Sequence, residues 1–222
     1  MKDYNALLKF YKDCFGMIDL LHYNSYVTKA QFENNLRSAN GKMISITHGG
    51  ISDNRQKKDY NHNGLIIGFV GNETPYKGLP LLKEAINGLN IFLDVWGGKK
   101  AEEGHVRYRG TFSRSTIKSV YNSMDLLVVP SICKETFSLV TLEALSYGVP
   151  VLVSDNVGAQ DIVKLYDKRF VYHTKEELRN LLEELVLDKS SLENFNKAIL
   201  DKPWNYDMKD HAAQEIINKI YQ

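Results

Sequence analysis

The chain has 222 residues, 43% of them hydrophobic and 25% charged, with 28 Lys and Arg against 27 Asp and Glu for a formal net charge of +1. That is the make-up of a globular protein long enough to bury a core, and it supplies neither a basic field for nucleic acid nor an acidic tail. Two cysteines, Cys14 and Cys133, are too few for a disulfide framework and fit a reducing compartment; the longest apolar stretch, 136–153, is broken by Glu143, Gly148 and Pro150, which argues against a membrane span, and the charges scattered through residues 1–21 argue against a signal peptide.

In chain order, residues 1–50 carry a helical pattern over 2–15, another over 28–38 and a short strand over 43–47. They are too few for a complete core and read as the last part of an N-terminal domain. Residues 51–63, rich in Asn, Asp, Lys and His, read as a polar linker. From residue 64 to 222 the pattern changes. Strands are predicted at 65–70, 91–96, 106–109, 126–129, 151–154 and 170–172, alternating with helices at 79–89, 114–122, 139–147, 159–166 and 175–187. Thr174 with Glu177 and Ser190 with Glu193 each have capping-box spacing. Gly148 ends one helix and Pro150 blocks its continuation. Leu126-Leu-Val-Val129 is apolar throughout, as in a parallel sheet covered on both faces. The expected fold class is α/β, a Rossmann-like doubly wound parallel sheet with strand order 3-2-1-4-5-6. A closing helix over about 206–221 follows the turn at Lys202-Pro-Trp204.

Such sheets bind ligands at the carboxyl ends of the strands where the order reverses. There the loop after the first strand, Gly71-Asn72-Glu73-Thr-Pro-Tyr-Lys77-Gly78, faces the loop after the fourth, Pro130-Ser-Ile-Cys-Lys-Glu135-Thr136-Phe137. The first loop is neither a dinucleotide fingerprint nor a P-loop. Taken alone, Lys77 reads as a solvated turn lysine; opposite a helix N-terminus it reads as a phosphate contact. The second loop opens a helix near Ser138, whose free N–H groups over Phe137, Ser138, Leu139 and Val140 would suit an anion. A carboxylate accepts hydrogen bonds from vicinal hydroxyls, so Glu143 could hold a ribose and Glu135 a sugar. Spacing alone leaves both open between that role and an ordinary exposed acid.

The run Lys134-Glu135-Thr-Phe-Ser-Leu-Val-Thr-Leu-Glu143-Ala-Leu-Ser-Tyr-Gly148-Val-Pro150 resembles the signature of retaining nucleotide-sugar glycosyltransferases of the GT-B fold, family-4 or group 1 type. Gly68-Phe-Val-Gly71, Lys77-Gly78, Val95-Trp-Gly-Gly98, Val106-Arg-Tyr-Arg-Gly110, Val129-Pro-Ser131 and Ile46-Thr-His-Gly-Gly-Ile51 match further family segments in order, over roughly residues 40–222. The resemblance implies that residues 64–222 are the C-terminal, donor-binding half of that fold.

It implies the following roles. Lys77, with Gly71 and Asn72 of its loop, contacts the donor diphosphate. Backbone N–H groups over Thr136, Phe137, Ser138, Leu139 and Val140 hold phosphate. Glu143 binds the ribose, Glu135 is the catalytic group at the transferred sugar, and the base rests near Gly110, Thr111 and Phe112. The donor is a nucleotide-diphosphate sugar, UDP- or GDP-linked in preference to ADP-linked. No other cofactor and no metal are implied, and the six histidines, His22, His48, His62, His105, His173 and His211, have no ligand spacing. The acceptor is a glycan or lipid-linked molecule bound through an N-terminal domain almost wholly absent here, so the chain alone is expected to be inactive. The location implied is cytoplasmic, in polysaccharide biosynthesis, and peripheral at the inner membrane face for a full-length enzyme. Two departures stand out: the missing N-terminal half, and Asn72, followed by Glu73, in the place of the usual arginine. They favour a second reading, a non-catalytic module binding a nucleotide or partner; an epimerase of the same fold is a third. Other residues read plainly: Cys133 as filler, His48 as structural, Trp96 and Trp204 as packing, and Lys99, Lys100, Arg107 and Arg109 as a solvated face.

Overall fold

A computed structural model of the chain describes residues 3–35, 42–45, 48–207, 214 and 217–219. The first elements are α1 (Tyr4–Gly16), β1 (Leu20–Tyr23), α2 (Tyr26–Asn35) and β2 (Lys42–Ser45), with β1 and β2 paired in parallel. The main domain follows as β3 (Leu65–Val70), α3 (Leu79–Ala85), β4 (Ile91–Trp96), β5 (Lys100–Glu103), β6 (Val106–Gly110), α4 (Ile117–Asn122), β7 (Leu126–Val129), α5 (Leu139–Ser146), β8 (Val151–Ser154), α6 (Gln160–Val163), β9 (Val171–Tyr172), α7 (Lys175–Leu187) and α8 (Ser190–Asp201).

Its seven strands run in the order β5-β6-β4-β3-β7-β8-β9. Without β5, this is the expected 3-2-1-4-5-6. Every pairing is parallel except β5 with β6. The central strands explain the order. Each residue of β7 and β8 is buried, because helices cover both faces of the middle of the sheet, and apolar runs are the segments that tolerate that position. β5 was not expected. Lys100-Ala-Glu-Glu103 is wholly exposed, and it sits where a charged strand belongs, on an edge, where its charges discourage pairing with another chain. β1 was missed as well.

Several boundaries need correction. The helix expected at 159–166 is only Gln160–Val163, and that at 114–122 begins at Ile117. Thr174 caps α7 as its spacing suggests, accepting from Glu177 N at 3.1 Å, although the Glu177 carboxylate bonds His173 N and not the cap itself. Ser190 and Glu193 make no capping box. Ser190 lies inside α8, and Asp188 takes both its N–H and its hydroxyl, at 2.9 and 2.6 Å. The closing helix over 206–221 falls largely outside the described residues, as do Ile46, Thr47 and His211.

Residues 51–63 form no helix or strand, yet they are fixed to the main domain. Arg55 Nη1 donates to the carbonyls of Ile199 and Lys202 at 2.5 and 2.6 Å. Asn54 N reaches Ser146 O, Lys58 Nζ reaches Tyr121 O and Asn122 O, and Tyr60 is buried. Polar composition here means hydrogen bonds to helix ends, because helices leave their last carbonyls unpaired.

Candidate donor site

The order reverses at β3, which has β4 on one side and β7 on the other. The loops after β3 and β7 therefore leave the sheet side by side. They touch: Ile132 N donates to Tyr76 O at 3.0 Å. Gly78 is required for this approach. Its φ is +76°, and a β-carbon there would lie 1.8 Å from Pro130 O.

Lys77 ends a short 3-10 turn, Pro75–Lys77, and its Nζ lies 2.9 Å from Glu135 Oε1. Two groups 58 residues apart in sequence thus meet across the crevice. The Glu135 side chain is 11% exposed, and that of Lys77 is 38%. Ser131 Oγ donates to the same carboxylate oxygen. Ser131 is itself held, its carbonyl accepting from Ser154 Oγ at 2.6 Å and Asn156 Nδ2 at 3.2 Å. The backbone of Glu135 is clamped between Asn156 O and Gly158 N.

At the start of α5 the N–H groups of Phe137, Ser138, Leu139 and Val140 have no acceptor among the described residues. Ser138 precedes the helix at φ 99°, ψ 89° without a side-chain cap. Glu143, one turn further, accepts from Tyr121 OH at 2.7 Å. Burial, then the adjacent Glu143 charge, pushes the Tyr121 hydroxyl far above its usual pKa, so it stays a donor at any ordinary pH.

The third side of the crevice comes from the ends of β4 and β6. Gly71 N donates to Trp96 O and Gly97 N to Gly110 O. These bonds bring the Gly71 loop and the Gly110–Phe112 segment to one end of the sheet. Thr111 and Phe112, with Trp96 and Arg109, line an open cavity of about 640 Å³. Asn72 is exposed, and the Glu73 carboxylate lies against Gly98. The solvated basic face needs correction. Arg107 Nε and Arg109 Nε both donate to Asp94 Oδ1, at 2.6 and 3.0 Å, and Asp94 is 1% exposed. They pair a buried carboxylate that would otherwise be costly to keep charged.

The structure thus brings Lys77, Glu135 and the start of α5 together, and the sequence missed what supports them: Asn156 and Gly158 behind Glu135, and Ser25 and Thr28 from the first fifty residues, beside His48, read as structural. His48 stacks on Phe137 with ring centroids 4.0 Å apart, and burial lowers its pKa. Trp204, expected to pack, also donates from Nε1 to Ile51 O at 2.8 Å. Among the described residues no three His, Cys, Asp or Glu side chains converge as a metal site would. No helix among them is long and apolar enough to cross a membrane.

The comparisons with known proteins agree with this fold. Over 212 residues the chain is 26% identical to the lipopolysaccharide 1,2-N-acetylglucosaminetransferase of Salmonella typhimurium, covering 80% of this chain and 52% of that protein. It therefore spans about half the length of this curated relative. Among solved structures, Anabaena HepE in complex with UDP and glucose superposes with a TM-score of 0.74 at 17% identity, over 99% of this chain and 68% of that one. The sucrose-phosphate synthase of Thermosynechococcus elongatus does so with a TM-score of 0.75 at 17% identity, over 99% and 63%. At such identity the likeness concerns the fold, the Rossmann-like half of the GT-B architecture. The family model for glycosyl transferases of group 1 matches residues 50–201, more than half of the chain, and the protein belongs to that family.

Proposed function

We propose that this chain is the donor-binding part of a retaining glycosyltransferase that takes a UDP- or GDP-linked sugar and needs neither bound metal nor another cofactor. The observation that carries the reading is the meeting of Lys77 and Glu135 beside four unpartnered N–H groups. A diphosphate entering the crevice would exchange the Glu135 carboxylate on Lys77 for its own oxygens and take hydrogen bonds from the start of α5. Negative charge grows on the diphosphate as the glycosidic bond breaks, and oriented donors stabilise it there. Glu135, released from Lys77 but still held by Ser131, would then face the sugar. Glu143, oriented by Tyr121, would take the ribose hydroxyls, and the base would lie along Gly110–Phe112. The Anabaena neighbour, solved with UDP and glucose, supports a UDP-sugar.

The acceptor, a glycan or lipid-linked glycan, belongs in this reading to an N-terminal acceptor domain of which residues 1–50 are part. What supports such a partner surface is α1, which buries none of its residues and exposes Tyr4, Leu7, Phe10 and Tyr11. The two cysteines are unpaired, which suits the cytoplasm; attachment of a full enzyme to the inner membrane face would be peripheral.

Calorimetric titration with UDP, GDP and ADP tests the reading. Binding of UDP or GDP is expected, and Lys77→Ala or Glu143→Ala should weaken it at least about tenfold. Binding of none of the three favours the non-catalytic module, the second reading, which the acidic Glu73 beside Gly98 supports. With the acceptor portion supplied, NMR of the product should show a retained anomeric configuration in the presence of a chelator. Conversion of the nucleotide sugar to another nucleotide sugar, with no nucleotide released, would point to an epimerase.

A further inference from the structure

The segment that leads Glu135 into α5 is held from two sides. The main domain takes two of its carbonyls: Gly158 N donates to Glu135 O at 3.1 Å and Ala159 N to Phe137 O at 2.7 Å. The carbonyl between them, that of Thr136, is taken by the N-terminal unit. Ser25 Oγ donates to it at 2.6 Å, and Thr28 Oγ1 lies 3.0 Å from it.

Both hydroxyls are seated for this contact. Ser25 and Thr28 are 5% and 7% exposed. Ser25 Oγ accepts from Thr28 N at 3.1 Å. Thr28 Oγ1 lies 3.2 Å from Asn24 Oδ1, and Asn24 Nδ2 lies 3.0 Å from His48 Nε2, the ring that stacks on Phe137. The next residue is anchored too, Tyr26 N donating to Asp161 Oδ2 at 2.8 Å. The main domain leaves room by having no side chain at Gly158. A β-carbon there would lie 2.2 Å from Thr136 O and 2.4 Å from Ser25 Oγ.

This arrangement has a direction. The peptide group is planar and trans, so a fixed carbonyl fixes the next N–H to point the opposite way. With Thr136 O held by the N-terminal unit, Phe137 N–H is aimed away from that unit. It is the first of the four N–H groups without a partner at the start of α5. We propose that Ser25 and Thr28 are positioning residues of the donor site: by holding the Thr136 carbonyl they orient the Thr136–Phe137 peptide so that its N–H meets the diphosphate. The proposal rests on the nucleotide-sugar reading above. Neither hydroxyl touches the ligand. Without them only the flanking carbonyls of Glu135 and Phe137 are held, and a charge-assisted hydrogen bond to phosphate loses its fixed donor.

The test compares, on the full chain, the affinities for UDP and uridine and for GDP and guanosine, by calorimetry for the diphosphates and ligand-observed NMR for the nucleosides. The Ser25→Ala/Thr28→Val double variant is expected to bind the preferred diphosphate about tenfold more weakly than wild type. Its nucleoside affinity should not change, because only the phosphates meet that N–H. Thr28→Ser, which keeps a hydroxyl, should retain wild-type affinity. If the double variant does not fold, Ser25→Ala alone should lower the ratio of diphosphate to nucleoside affinity about threefold. Equal diphosphate affinity in wild type and variant overturns the proposal. A parallel loss for diphosphate and nucleoside also overturns it, since that marks general loosening. A wild-type chain that binds neither diphosphate defeats the nucleotide-sugar reading first, and this proposal with it.

Discussion

The main domain and the N-terminal unit are built of the same parts, parallel strands and helices, but they spend their side chains differently. In the main domain β7, β8 and most of β3 are buried, and α5 sends Leu142, Ala144 and Leu145 into a core with no exposure at all. In the N-terminal unit α1 buries nothing, and the two strands among its described residues are too few to form a covered sheet. Its buried polar residues, Ser25 and Thr28, face the other unit. One region is held by its own apolar core; the other contributes polar contacts at the boundary. The candidate donor site lies where they meet, with its charged groups on the self-sufficient side and part of its alignment coming from the other.

The sharpest way to break this contrast is to remove a leucine from each region. Leu142→Ala should cost about 3 kcal/mol, the transfer term plus a cavity that tight packing cannot close. Leu7→Ala, at 52% exposure on α1, should stay within about 0.5 kcal/mol. Urea denaturation followed by circular dichroism measures both. Similar costs would mean that α1 is packed as firmly as α5, and the contrast would fail.

A second test asks to which region residues 51–63 belong. Burial pushes the Lys58 ammonium down to about 8, against the opposing attraction of Asp125. Its Nζ caps the last carbonyls of α4. The folded pKa lies below the unfolded one, so the charged form is disfavoured by folding. The stabilising contribution is complete above the unfolded pKa and is lost as pH falls through about 8. Wild type should therefore gain about 2 kcal/mol relative to Lys58→Met between pH 8 and 9.5. A flat difference over that window would mean that Lys58 is solvated and the segment is not part of the packed domain.

The sequence announced the middle of this fold because central parallel strands must be apolar on both faces, and few other segments are. Strand order followed, and with it the opposition of Lys77 and Glu135. β5 was illegible for the converse reason. A charged edge strand looks like a loop, and only its partner β6 makes it a strand. Ser190–Glu193 shows how spacing misleads: the capping pattern was present, but Asp188 reaches the helix start first. The site divides in the same way. Loop residues at strand ends are implied by topology, whereas Ser25 and Thr28 carry no signal, since a hydroxyl that bonds a backbone carbonyl more than a hundred residues away looks like any surface hydroxyl. Arg107 and Arg109 were misjudged because their acid, Asp94, comes from the neighbouring strand.

The smallest expected effect concerns backbone strain, and it too separates the regions. Two non-glycine residues with positive φ are described, one in each. Asp3, at φ 56° and ψ 40°, lies in the ordinary left-handed well, which aspartate tolerates. Ser138, at φ 99° and ψ 89°, lies well outside it, at the entrance to the helix that faces the crevice. Its carbonyl accepts from Thr141 N and its hydroxyl from Thr141 Oγ1, both at 3.2 Å, which is little compensation. A strained non-glycine residue costs about 1–3 kcal/mol, and glycine gives back roughly 0.5–1 kcal/mol through the freedom it adds to the unfolded chain. Ser138→Gly should therefore raise stability by about 1 kcal/mol. Ser138→Ala keeps the strain and loses only the weak Thr141 contact, so it should gain nothing. If the two variants unfold at the same urea concentration, Ser138 is not strained, and the main domain bears no conformational cost for the turn that opens the candidate site.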